Sequence, residues 1–228
     1  MLYEGWELNF FDSAKNFKQY QFDLIRNYLG ESVLEIGPGN GIFSKELVLK
    51  KTRKLTLSEL DTGHFQKLKK EFNLIKNVEV VQKKINELDE QFNTILYLDV
   101  LEHIDDHEQE LKYAFEKLKP GGFLIIISPA FKYLYSAFDF SIGHKRRYEK
   151  EFFLDFSKKN NINYEKIEYF DSIGYLFAVI NKILNIKNSN ISIGVKIWNL
   201  LIPLSKMLDK IFFNSFGKSI VCVYKKRS

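Results

Sequence analysis

Glu35, Gly37, Gly39 and Gly41 alternate with single residues at the end of an apolar run, Val33-Leu34. Glycine takes positive φ and lets backbone approach a ligand closely. Such a turn also exposes the first N–H groups of the helix that follows, here read over Phe43 to Leu49. The chemistry on offer is capture of a small molecule by a strand-to-helix turn. Glu59 follows Gly37 by 22 residues, with Asp61 just after it. A carboxylate at that spacing can accept two hydrogen bonds from a cis-diol. Asp99, Glu102 and His103 form a second polar group, and Gly143-His144-Lys145-Arg146-Arg147-Tyr148 a third. Neutral imidazole is available near pH 7 as a general base, so His103 and His144 are the catalytic candidates. Adjacent guanidiniums bind carboxylate or phosphate in a bidentate way, so Arg146 and Arg147, with Tyr148, are the candidates for an anionic substrate. The bland alternative is that Asp139 pairs with one of these arginines and the block only closes a lid.

Spacing narrows the ligand. A dinucleotide turn needs a third glycine three residues after the second, and that position is Ile42. A phosphate loop needs a lysine followed by Ser or Thr, which the turn lacks. The pattern present, E-x-G-x-G-x-G, resembles the first motif of the class I S-adenosylmethionine-dependent methyltransferases. Asp99-Val100-Leu101-Glu102-His103 is similar to the D-x-L-E-H that often ends strand four in that family. Lys119-Pro120-Gly121-Gly122 is a third match, and the G-H-x-R-R-Y block looks like one found in some bacterial members.

The resemblance implies S-adenosylmethionine as cofactor, with S-adenosylhomocysteine as product. It places Glu35 near the donor's amino group and Gly37, Gly39 and Gly41 against its methionine and ribose parts. Glu59 is expected on the ribose hydroxyls, with Asp61 as the alternative and Leu60 beside it. Asp99 and Val100 are expected at the same site. Relatives often carry an acid after strand three for the adenine amine, but Gln82 to Asn86 contains none. Backbone groups at Lys84 and Ile85 are expected to serve instead. Some relatives with an E-H pair hold a divalent cation there, for which Asp99, Glu102 and His103 would be the ligands. Adjacent Glu102 and His103 would have difficulty both pointing inward, so no metal is expected.

Strands and helices alternate between the motifs, which implies a mainly parallel, doubly wound α/β sheet of seven strands. Strands are expected at Lys54–Glu59, Val78–Val81, Phe92–Leu98, Phe123–Ile127, Tyr164–Phe170 and Ser219–Tyr224, the last antiparallel by family topology. Residues 1–30 read as a helical lid in which Tyr3, Trp6, Phe10 and Tyr20 could cover the ligand. One domain is expected over 1–228, with core in 31–171 and 218–228, a substrate-side segment in 129–150 and a helical insertion in 172–217. In that insertion Ile197, Leu200, Leu201, Leu204, Leu208, Ile211 and Phe212 make one apolar stripe, opposed by polar residues that include Asp209. The stripe is too apolar to face water alone, so it should pack on the core, on a second subunit or on a membrane surface.

A net charge of +5 over 228 residues is too small to argue for nucleic acid. Amino-methylating enzymes for bases often show N/D-P-P-Y/F after strand four, and Asp99-Val100-Leu101-Glu102 does not match it. A single cysteine, Cys222, fits a reducing, cytoplasmic setting, with membrane association as the variant. No signal peptide and no transmembrane helix are expected. The reading is therefore a methyltransferase acting by in-line displacement on a small or lipid- or glycan-linked anionic acceptor, at oxygen. The competing readings are a catalytically silent donor-binding scaffold and a nucleic-acid methyltransferase.

Overall fold

A computed structural model describes residues 11, 13–49, 52–183 and 191–228. The expected lid residues Tyr3, Trp6 and Phe10 lie outside them. Short apolar runs form the strands: β1 (Ser32–Ile36), β2 (Lys54–Ser58), β3 (Val78–Val81), β4 (Phe92–Leu98), β5 (Leu118–Pro129), β6 (Asn163–Phe170) and β7 (Ser219–Lys225). They make one sheet in the order β3-β2-β1-β4-β5-β7-β6. All neighbours are parallel except at β7, which runs antiparallel to both β5 and β6. The seven-stranded doubly wound class expected from the sequence is present.

Successive side chains of a strand point to opposite faces, and each face has its own apolar layer. Val33, Leu55, Leu57, Leu96, Ile125 and Val221 pack on one side against α1 (Lys15–Ile25), α2 (Ile42–Leu49), α3 (Thr62–Phe72) and α8 (Ile191–Ile211). Leu34, Ile95, Tyr97, Ile126 and Cys222 pack on the other against α4 (His107–Glu116) and α6 (Lys150–Asn160). Burial on both faces is why these strands read as continuous hydrophobic runs and not as alternating ones. Strand order reverses between β1 and β4, and the crevice for a ligand opens beyond the carboxyl ends there.

Three expectations change. β5 begins at Leu118, so the Lys119-Pro120-Gly121-Gly122 turn is an irregular start of the strand; Gly121 takes φ 74° and the pairing with β4 slips between Phe92 and Thr94. Tyr20 is buried, but its hydroxyl donates to Asp209 Oδ2 at 2.8 Å and it is not part of the ligand cavity. In the insertion, α7 (Ser172–Ile183) and α8 follow β6, and the face of α8 that packs inward is Val195, Trp198, Ile202, Ser205 and Asp209. The apolar stripe picked out by spacing points outward: Leu200 is 73% exposed and Ile211 56%. The reason is Asp209, whose carboxylate accepts from the backbone N–H of Asp171 and Ser172 at 2.7 and 2.8 Å. Orphan donors at the start of α7 claim a carboxylate from α8, and this turns the helix.

Candidate active site

The carboxyl ends of β1, β2, β4 and β5 open into a cavity of about 820 Å³. At one end stands the glycine turn. Gly37, Gly39 and Gly41 have φ of 62, 53 and 70°, a region that side chains enter only at a cost. Gly37 and Gly39 line the cavity, whereas Gly41 does not. A Cβ on Gly41 would lie 2.6 Å from Leu68 Cδ2, so that glycine leaves room for α3. Glu59 braces the turn: one carboxylate oxygen accepts from Gly39 N at 3.0 Å, the other from Asp61 N at 2.9 Å. Asp61 is spent as the N-cap of α3, accepting from His64 N at 2.8 Å. Glu35 is 2% exposed and accepts from Ser44 Oγ at 2.6 Å. Burial raises its pKa to about 7, against the Ser44 hydrogen bond and the positive charge of Lys18.

Leu60, Lys84, Ile85 and Asn86 line the same region. The Lys84 N–H is already given to Glu87 Oε2 at 2.8 Å, so it is not available to an adenine. Asn86, with both a donor and an acceptor, stands in the stretch that lacks an acid. Asp99 and Val100 line the cavity where β1 and β4 part; Asp99 takes φ 56° and accepts from Gln21 Nε2 at 3.1 Å.

The other end holds both histidines. His144 Nδ1 donates to Asp139 Oδ1 at 2.9 Å, which turns Nε2 toward Glu102 Oε1, 3.7 Å away. His103 Nδ1 donates to Gly143 O at 3.1 Å, and the two imidazoles meet edge to face at 4.9 Å. Burial lowers the His103 pKa to about 4, and the His144 charge adds to that. Burial also works against charge on His144, but the Asp139 hydrogen bond and the charges of Glu102 and Asp139 lift it above its ordinary value. Glu102 is fully buried; burial raises its pKa, His144 opposes, and Oε1 has no hydrogen-bond partner. Glu102, His103 and His144 present three ligating atoms within 4.8 Å of one another. Glu102 and His103 do converge, contrary to the expectation that neighbours would point apart. Both residues lie on the short 3-10 turn Leu101–His103, and the backbone N–H of Lys145 donates to Glu102 O at 2.9 Å, which brings His144 to the same place.

The anion-binding expectation fails for two of its three residues. Arg146 donates to Ile104 O at 2.6 Å and Asp105 O at 3.2 Å, away from the cavity. Tyr148 is buried, with its hydroxyl on Leu101 O at 3.2 Å. Arg147 reaches the cavity wall, but its guanidinium is held by both Asp139 oxygens at 2.9 and 3.0 Å and by Ala130 O. Burial would raise the Asp139 pKa, yet bonds from His144 and Arg147 hold it near 2. His107 stacks on Phe152 at 4.8 Å.

Residues that spacing did not single out complete the wall: Phe11, Phe17, Lys18, Trp198 and Lys218. Lys218 directly precedes β7, and the antiparallel pairing of Ser219 with Pro129 delivers it to the ligand end. Only the strand order reveals that; no local pattern does.

A family model described as a methyltransferase domain matches residues 12–174. Over 100 residues the chain is 31% identical to a ubiquinone biosynthesis O-methyltransferase of Pseudomonas putida, a match covering 41% of this chain and 42% of that protein. A protein of the same name from Pseudomonas fluorescens is 28% identical over 103 residues, 42% of this chain and 43% of the relative. The chain thus matches well under half the length of these relatives. Among solved structures, phosphoethanolamine N-methyltransferase 2 of Haemonchus contortus with S-adenosyl-L-methionine superimposes with TM-score 0.67 at 14% identity, over 97% of this chain and 57% of that one. N-methyltransferase NodS of Bradyrhizobium japonicum gives 0.60 at 14% identity, over 95% and 99%. Identities this low speak for the fold alone. The domain match covers most of the sheet and both ends of the cavity: the chain belongs to the class I S-adenosylmethionine-dependent methyltransferases.

Proposed function

We propose that the chain moves the methyl group of S-adenosylmethionine to a hydroxyl of a small-molecule acceptor by in-line displacement. The observation that carries this is His144, clamped through Nδ1 by Asp139 at the end of the cavity opposite the glycine turn. The acceptor oxygen attacks the methyl carbon as the C–S bond breaks, and its proton passes to His144 Nε2. Asp139 fixes the tautomer that leaves Nε2 as the acceptor. The sulfonium is already reactive, so alignment supplies much of the acceleration. Glu59 and the Gly37–Gly39 backbone hold the donor's ribose side, and Glu35 its ammonium. The name of the Pseudomonas relatives supports oxygen as the acceptor atom. Fold cannot decide the reaction, since a [4+2]-cyclase superimposes with TM-score 0.61. The test is transfer of labelled methyl from the donor to the small-molecule fraction of a cell extract. His144→Gln should cut transfer ~100-fold or more while S-adenosylhomocysteine still binds. Donor binding without any labelled acceptor would favour a silent binding protein.

The unbonded Glu102 Oε1 favours a second reading. With His144 Nδ1 donating to Asp139, its Nε2 faces Glu102 Oε1, and His103 offers a third ligating atom within 4.8 Å. Glu102, His103 and His144 would then hold a divalent cation that polarises the acceptor hydroxyl. Transfer that survives exhaustive chelation, with no manganese bound in a titration, rejects this reading and leaves His144 as base.

A further inference from the structure

With Arg146 and Arg147 engaged by the protein itself, a different cation faces the acceptor space. Lys218 Nζ stands 4.1 Å from the centroid of Trp198, 5.7 Å from that of Phe17 and 5.5 Å from that of Phe11. Among the described residues it makes no hydrogen bond and no ion pair. Asp171, the acid whose charge acts on it most, is committed elsewhere: Oδ1 accepts from Gly174 N at 2.9 Å and Ser205 Oγ at 3.1 Å, and Oδ2 from Trp198 Nε1 at 2.8 Å. The main chain of Lys218 is fixed on both sides, taking Ala130 N at 2.8 Å and giving its N–H to Asp171 O at 2.9 Å. It therefore sits at the β5–β7 edge of the cavity, on the far side of β4 from the glycine turn and Glu59. Lys18 is the cation on the donor side, where its charge acts on Glu35.

An ammonium drawn out of bulk water without a counter-ion is costly, and it gains most from an anion brought to it. The rings around it favour a flat apolar body beside that anion. We propose that Lys218 receives an oxyanion, carboxylate or phosphate, carried on a ring-bearing methyl acceptor. This rests on the methyl-transfer reading above. It assigns the acceptor's charge to a residue outside the G-H-x-R-R-Y block. The acceptor lies with its anion at Lys218 and a hydroxyl toward His144, and Trp198 and Phe17 flank its ring.

The test uses the full chain saturated with S-adenosylhomocysteine and three probes in calorimetry: 3-hydroxybenzoate, phenyl phosphate and neutral 3-hydroxybenzamide. Wild type should bind at least one anion tenfold or more tighter than the amide. Lys218→Met should lose that preference, bind the amide as wild type does and keep its affinity for S-adenosylhomocysteine within twofold. Lys218→Arg should retain the preference, which separates loss of charge from loss of fold. Which anion binds tells carboxylate from phosphate. Equal affinity for anions and amide in wild type, absence of binding by all three, or an unchanged preference in Lys218→Met overturns the proposal. So does a selective loss of S-adenosylhomocysteine affinity in Lys218→Met, which would put Lys218 on the donor. A wild type that binds no S-adenosylhomocysteine marks failure of the methyl-transfer reading itself.

Discussion

Glu35 carries a proton where an ordinary carboxylate would not. Its folded-state pKa of about 7 lies above the usual 4.5, so the folded protein takes up a proton that the unfolded chain releases. The resulting stability is full below pH 4.5 and is lost as pH rises through about 7. Glu35→Gln should flatten that decline and make the donor-free protein more stable than wild type at pH 8, by on the order of 2 kcal/mol. Urea unfolding of both proteins at pH 5 and 8 measures it; equal pH dependence would refute it. Gly41→Ala should cost ~1–3 kcal/mol, from positive φ and collision with Leu68, but leave S-adenosylhomocysteine affinity nearly unchanged. A large affinity loss in a folded variant would return Gly41 to the donor site. These two residues mark what the sequence could and could not say. The spacing of the acid and glycines located the turn, because local backbone geometry depends on residue type. It could not tell a glycine that faces ligand from one that faces Leu68, because that depends on where α3 lands. Arg146 and Tyr148 misled for the same reason: groups that suit an outside anion are taken up here by the protein's own carbonyls, Ile104 O and Leu101 O.

At the scale of elements, Asp209 and Asp171 are two buried carboxylates that fasten the insertion. Asp209 joins α8 to the start of α7 and to Tyr20 of α1. Asp209→Ala leaves two buried N–H groups and a hydroxyl without their acceptor, which should cost ~2–4 kcal/mol in urea unfolding. A loss under 1 kcal/mol would mean that water replaces it. The outward stripe of α8 is a separate matter. Leu200, Leu204 and Ile211 face out beside exposed Lys196 and Lys210, a combination suited to an anionic membrane surface. We expect sedimentation with anionic liposomes, reduced at least several-fold by Leu204→Asp, with the melting temperature of that variant unchanged. If liposomes are ignored and sedimentation shows a dimer that Leu204→Asp dissociates, the stripe is a subunit contact. No described helix is long and apolar enough to cross a bilayer. Periodicity found this stripe but left its direction open among core, second subunit and membrane surface, because counting apolar residues gives no weight to a single buried acid.

For the molecule as a whole, the succession of strands and their mainly parallel pairing were legible where alternation and motifs run together, from β1 to β5. The place of Lys218 was not, although the reversed last strand was expected, because no local pattern marks the residue that precedes it. That reversal bears on how the chain assembles. β6 touches the rest of the sheet only through β7, and more than forty residues of α7, α8 and their connections separate the two in sequence. During synthesis β1 to β5 can pair in order as each strand leaves the ribosome. β6 then has no partner until residues 219–225 follow. Until that moment β5 presents an open edge, the ends of β5 and β6 are not yet bridged through Lys218, and the pocket lacks a wall. Ligand affinity is thus a property the nascent chain acquires only when β7 pairs, in the same step that covers the open edge of β5.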